Sequence, residues 1–439
     1  CVMQTAGSML VQRWLLKSPA IVFVFYTCLA AFTAYCCMYA MRKPFTAASY
    51  TGLEWYGIQF KIVLVVSQVL GYALSKFIGI RIISSMKPGK RGVWMLLLLS
   101  IALLSLLGFA VTPFPYNALW LFVNGLPLGM IWGVVFGYLE GRRTTEVLAA
   151  ALSINFIISS GFVKSVGQWL LNKQGVPEFW MPFVAGLMFV PPLLLAVWLL
   201  EQMPPPSVED QALRNARSPM TAAERRNLWK RFAPGFVLLI GVYLVLTIIR
   251  DVRDNFAVEI WTELGFGGQT SILTTAELPV ALLTLLGLGA LIMVKNNFKA
   301  LWLNHWLTMA GALLLAGSTF LFQQKGISPI TWMVLSGFSL FIPYIIFNGI
   351  LFDRLLAAFR EAGNVGFLMY MADAVGYLGS VIVLLWRNFG FSGMSWLDFY
   401  CNLCYLGAAL FGGMMVFSLF YFSGKVVRAD AKFKILTHE

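Results

Sequence analysis

Charge is what this sequence has least of. Only 12% of its 439 residues are Asp, Glu, Lys or Arg, about half the share found in soluble domains, and the mean hydropathy is +0.78. A fully hydrated surface cannot be built from that composition, which excludes a soluble globule. Histidine is nearly absent, with two residues. The six cysteines are scattered: Cys28, Cys36 and Cys37 fall in the first apolar stretch, and Cys401 and Cys404 stand one helical turn apart in the last. This leaves no disulfide framework and no metal cluster, since a CxxC inside an apolar helix reads as small packing residues. Nucleotide loops and nucleophile triads are missing too, so no enzyme and no cofactor is expected. Without a cleavable signal peptide, the first apolar stretch is expected to serve as the insertion signal. The chain opens on Cys1 rather than Met, so a few starting residues are expected to be missing.

What the sequence has is apolar length. Stretches of about 20 residues, enough to cross the hydrocarbon core, recur at about 20–47, 57–80, 93–111, 116–138, 147–171, 179–201, 233–256, 269–294, 300–322, 330–352, 363–386 and 396–422. These predict an all-α polytopic membrane protein of twelve transmembrane helices in two six-helix pseudo-repeats. The longest polar stretch, residues 202–231, carries three consecutive prolines and separates six spans from six. The expected division is therefore 1–201, a cytoplasmic central loop 202–231, and 232–439. Thr221 with Glu224 fits a capping box, which predicts a helix from about Ala222 into the seventh span.

The basic residues orient the chain. Of the 32 Lys and Arg, 22 fall in alternate connections: Arg13 and Lys17; Arg81, Lys87, Lys90 and Arg91; Arg142 and Arg143; six from Arg214 to Arg231; Lys295 and Lys299; Arg354 and Arg360; and four from Lys425 to Lys434. Cations gather on the cytoplasmic side, so both termini are expected inside. The same distribution accounts for the net charge of +13 as a topology signal, and no nucleic-acid partner is expected.

Two arginines break the apolar pattern at matching depths. Arg42 lies in YCCMYAMRKPF (Tyr35 to Phe45) and Arg250 in VYLVLTIIRDVRDNF (Val242 to Phe256), 208 residues apart. A guanidinium in a span is costly and persists where it lines a watery cavity or meets an anion. The spacing suggests duplicated halves facing one central site, an arrangement similar to the major facilitator architecture.

The strings YCCMYAMRKPF, LSKFIG (Leu74 to Gly79), GMIWGVVFGYLEGRR (Gly129 to Arg143) and EAGNVGFLMYMADAVGYLGS (Glu361 to Ser380) resemble the organophosphate:phosphate antiporter branch of the major facilitators. The resemblance runs through both halves in register and is patchy in the third, sixth, ninth and twelfth spans. It implies a monomeric bacterial inner-membrane carrier that exchanges an organophosphate for phosphate. It gives Arg42 and Arg250 the role of clamping an oxyanion, which a planar guanidinium can meet at two oxygens. Tyr35 and Tyr39 match tyrosines beside the family site, Lys76 a pocket lysine and Asn155 an asparagine of the fifth span, and Glu277 lies near an acid of the eighth. Several positions depart from the pattern. Ile158 stands where the family has histidine, with Lys164 six residues on as its expected substitute. Thr247 replaces a tyrosine, the loop Ile80 to Lys90 lacks the usual Asp-Arg, and Asp251 and Asp254 crowd Arg250 and Arg253.

The residues allow other roles. Arg42 could snorkel to the surface with Lys43. Arg250 could pair with Asp254 four residues on, and Arg253 with an acid. Lys76 and Lys164 could pair with Glu277 or Asp373, making those acids, like Asp254, coupling or gating candidates. Glu140, Arg142, Asp353 and Arg354 read as braces of inside loops, His305 as interfacial, and Gly125 and Gly129 as points of close helix approach. The reading that follows is a secondary transporter of a small anionic, phosphorylated solute in the lipid bilayer. Arg42, Arg250, Lys76, Lys164, Tyr35, Tyr39 and Asn155 would bind that solute. A proton-coupled organic-anion symporter, with Asp373 or Glu277 carrying the proton, and a non-transporting membrane sensor are the alternatives.

Overall fold

A computed structural model describes residues 6–84, 86, 88–140, 142, 144–206, 222–359, 365–390 and 393–436. Among these residues, nine helices are long and apolar enough to cross a membrane, and ten if the bent pair Met181–Met188 and Val190–Glu201 is one span. Phe60–Ser84 and Val365–Gly390, with 25 and 26 residues, stand where the second and eleventh spans are expected. The architecture is that of an all-α polytopic membrane protein.

Proline explains where several helices stop or bend. The first span, Ala20–Ala40, ends earlier than the apolar run because Pro44 has no N–H to give the Ala40 carbonyl. A turn and a short 3₁₀ helix, Pro44–Ala47, follow, so Arg42 and Lys43 lie just beyond the helix. In the sixth span Pro191 and Pro192 cannot donate to Leu187 and Met188, and the helix bends by 41° at Phe189. The seventh-span helix runs unbroken over Ala222–Asn255, starting where expected; the Thr221 cap and the stretch 207–221 of the central loop lie outside the described residues.

Backbone proximity partitions the chain into two compact units. The first comprises 1–216, 252–285 and 381–397, and the second 217–251, 286–380 and 398–439. In the first, the second span and the helix Ala118–Leu139 cross at glycines. A Cβ on Gly125 would lie 2.3 Å from the Gln68 carbonyl oxygen, and one on Gly71 2.1 Å from that of Phe122. Backbone cannot yield as a side-chain tip can, so Gly125→Ala should destabilise the protein by about 1–3 kcal/mol. A lowered Tm of the detergent-purified protein would show it; an unchanged Tm would mean the crossing is looser than described.

The first unit also holds a two-stranded hairpin that the periodicity does not predict. Glu54 pairs with Gln59 and Trp55 with Ile58, around Tyr56 and Gly57 at φ 50° and 73°, the backbone that a two-residue hairpin turn requires. Asn388 fastens it, donating to Gly57 O at 2.9 Å and accepting from Gln59 N at 3.2 Å. In the second unit Trp332, fully buried, stacks on Phe322 and donates to Thr319 Oγ1. His305 is fully buried there rather than interfacial, with Nδ1 on Leu301 O and Nε2 on Ser418 Oγ. The helix turn that carries it faces the twelfth-span helix rather than water.

Candidate functional site

Arg42 is 8% exposed and is held through aromatic faces. Its guanidinium carbon lies 4.0 Å from the Tyr72 ring centroid and 6.0 Å from that of Tyr39. Lys76, one turn along the second span from Tyr72, places its ammonium 5.1 Å from the same ring. A ring face stabilises a cation, so the Tyr72 ring gathers two cations of the first unit in one corner. Tyr39 and Tyr35 are buried and meet edge to face at 5.6 Å, and Tyr35 packs on Phe156. Asn155, fully buried, donates to Leu152 O and accepts from Ser159 Oγ at 2.6 Å, bridging the break at Ile154 between the helices Thr145–Ser153 and Asn155–Asn172.

Beside that corner in sequence, a buried charge network centres on Asp254. Its Oδ2 lies 2.5 Å from Lys43 Nζ and its Oδ1 2.6 Å from Lys164 Nζ. Ser160 Oγ also donates to Oδ1 at 2.5 Å, and Lys164 to the Asp254 carbonyl. Lys43 reaches Asn255 Oδ1 as well. Nearby in the chain, Lys61 pairs with Glu259 at 2.5 Å and donates to Thr46 O, and Arg253 pairs with Glu277 at 2.7 Å. The expected Arg253–acid pair is thus present. The alternative pair Arg250–Asp254 is not, because Lys43 and Lys164 occupy both carboxylate oxygens. Lys164 likewise pairs with Asp254 rather than with Glu277 or Asp373.

A stack of rings joins this network. Lys61 Nζ lies 5.5 Å from the Phe256 centroid, Phe256 stacks on Trp396 at 3.4 Å, and the Arg387 guanidinium covers the far face of Trp396 at 3.7 Å. Glu263 accepts from the backbone N–H groups of Trp396 and Leu397. Spacing gives no hint of this cation–ring–ring–cation order, since its members come from four separate segments.

In the second unit Arg250, 9% exposed, repeats the Arg42 theme. Its guanidinium carbon lies 4.0 Å from the Tyr344 ring centroid. Its partner is the adjacent Asp251, with Nη2 at 2.6 Å and Nε at 3.2 Å from one oxygen. Tyr344 stacks with Tyr243, whose hydroxyl donates to Asp373 at 2.5 Å and lies 3.1 Å from the Tyr344 hydroxyl. Asn348 Nδ2 donates to the Tyr243 oxygen, and Thr247, where the resembled family has tyrosine, donates to Tyr243 O. Asp373 is buried.

Elsewhere, two of the residues read as braces are tied to other segments. Arg142 donates to Pro204 O and Arg354 to Asn297 Oδ1. The described cysteines Cys28, Cys36, Cys37, Cys401 and Cys404 are unbridged, and no metal-ligand group occurs among the described residues.

Two solved structures share this architecture. The crystal structure of a D-xylose-proton symporter matches with a TM-score of 0.60 at 16% identity, covering 92% of this chain and 97% of that one. The major facilitator proton:xylose symporter XylE bound to 6-bromo-6-deoxy-D-glucose gives 0.55 at 14%, covering 92% and 96%. No curated protein matches the chain. At these identities the likeness defines a fold: this is an integral, multi-pass membrane protein with the major facilitator fold. It belongs to a family of unknown function, DUF5690, which it matches over residues 44–425.

Proposed function

We propose that the protein is a secondary transporter of a small organic anion carrying a phosphate-type group, working by alternating access in exchange for phosphate or a similar anion. The observation that carries this reading is the repeated motif of a buried arginine laid 4.0 Å over a tyrosine ring, Arg42 on Tyr72 and Arg250 on Tyr344. A buried guanidinium stays charged and can meet an oxyanion with its planar edge, which on Arg250 an arriving solute would take over from Asp251. Lys76 adds positive field, and Tyr35, Tyr39 and Asn155 line or support the same region. Lys164 contributes through Asp254: while Asp254 holds Lys43 and Lys164 together, this part of the first unit is closed. Its release frees two cations as the solute arrives or leaves. Glu277 acts likewise on Arg253.

One observation favours a second reading. Asp373 is buried and accepts from Tyr243, a hydroxyl that stays hydrogen-bonded whether the carboxyl is charged or protonated, as proton-coupled symport needs.

The experiment is flux in liposomes containing the purified chain. Labelled phosphate trapped inside should leave only when an external organophosphate is supplied, and the exchange should be indifferent to an imposed pH gradient. Uptake driven by the gradient would favour the Asp373 reading. Binding of organophosphates, seen as a raised Tm, without any flux would make the protein a sensor.

A further inference from the structure

Both peptide groups that flank the Arg42 Cα are pinned at each end. On the N–H side, Arg42 N and Lys43 N both donate to Tyr39 O, at 3.0 and 2.9 Å. On the carbonyl side, two neutral amides from other spans intervene. Asn124 Nδ2 donates to Met41 O at 3.1 Å, and Gln68 Nε2 donates to Arg42 O at 2.9 Å. The amides are themselves joined, Gln68 Nε2 to Asn124 Oδ1 at 2.8 Å, and Asn124 Nδ2 also donates to Ala102 O at 2.9 Å. Asn124 is fully buried and Gln68 is 4% exposed.

A helix that stops inside a membrane protein leaves carbonyls that water cannot reach, so side chains must satisfy them. Here the satisfied carbonyls are the two that set the ψ of Met41 and of Arg42, and with the two N–H bonds they fix the direction in which the Arg42 side chain leaves the backbone. A binding side chain holds its geometry only as well as the groups behind it do.

We propose that Gln68 and Asn124 are positioning residues for Arg42: they lock its backbone so that the guanidinium lies over Tyr72 with its fork in a fixed orientation for an oxyanion. The inference rests on the reading of Arg42 as an anion ligand. Gln68 and Asn124 touch no solute. They act through the Met41 and Arg42 carbonyls, and the amide-to-amide bond makes them one device.

The test is a double-mutant cycle on the full chain in lipid nanodiscs, with inorganic phosphate as probe. Gln68→Met and Asn124→Leu keep the volume and remove the donors. Each should weaken phosphate binding about tenfold, the size typical of removing a partner behind a binding group. Neither should weaken it further in the Arg42→Ala background, because a residue acting through Arg42 has nothing left to act on. A second readout needs no anion: phenylglyoxal labelling of Arg42, followed by peptide mass spectrometry, should become several-fold faster in Gln68→Met. If Arg42→Ala leaves phosphate binding unchanged, the anion-site reading fails, while the labelling rate still decides the positioning role. If Arg42→Ala weakens binding but the Gln68 and Asn124 effects add to it, or if labelling is unchanged in both variants, the positioning role is overturned. Should Asn124→Leu fail to fold, Gln68→Met alone decides between these outcomes.

Discussion

Asp254→Asn should be the most damaging single substitution in the charge network, lowering stability by about 3–5 kcal/mol, the cost of leaving a buried charge without its partner. Two lysines meet this one carboxylate, Lys43 at 2.5 Å and Lys164 at 2.6 Å, and the network around them is largely withdrawn from water. An amide keeps the shape and can still accept a hydrogen bond, but it cannot offset two positive charges. Lys164→Met should be far milder, because Asp254 keeps Lys43 and the methionine stem fills the same space. Combining the two, Asp254→Asn with Lys164→Met, should recover part of the loss, since one stranded lysine is removed; the coupling belongs to residues in direct contact. Tm values of the four purified proteins check this. Equal effects for the two single variants, or strict additivity in the double, would show that Asp254 does not hold both lysines.

Arg42→Lys should impair solute binding nearly as much as Arg42→Ala. Lysine preserves the charge but is a point donor, so it loses the flat two-oxygen contact and the close packing on the Tyr72 face at 4.0 Å. A lost hydrogen bond to a charged group is worth about 1.5–3 kcal/mol, roughly a ten- to hundredfold change in affinity. Arg250→Lys should behave alike if Arg250 is itself an anion ligand, with the difference that Asp251, 2.6 Å from Nη2, also loses its fork-shaped partner and some stability goes with it. Affinity and flux measured on the same preparations separate the two effects. Lysine tolerated at both positions would reduce the arginines to a general positive field.

The apolar spans and the continuous helix from Ala222 could be read along the chain, whereas the first helix stops at Ala40, short of the expected 47, at a proline whose effect the apolar length hides. Each follows from local rules: apolar length against bilayer thickness, and proline's missing N–H. The exceptional status of Arg42 and Arg250 was equally legible, because an ionised group in an apolar run is conspicuous wherever it stands. Partner choice was not legible. Helical spacing offers Asp254 to Arg250, yet Asp254 serves Lys43 and Lys164, which are 211 and 90 residues away, and Arg250 turns to Asp251. The same holds for Tyr72 and Tyr344 under the arginines, for Trp396 between Phe256 and Arg387, and for Gln68 and Asn124 behind Arg42. Those neutral residues carry no signal at all in a sequence. Burial decides these pairings: with water removed, every charge and every freed carbonyl must find whatever partner the packing brings within 3 Å. Which segments packing brings together is set by contacts such as Gly71 on Phe122 and Gly125 on Gln68, and those exist only once the chain has folded.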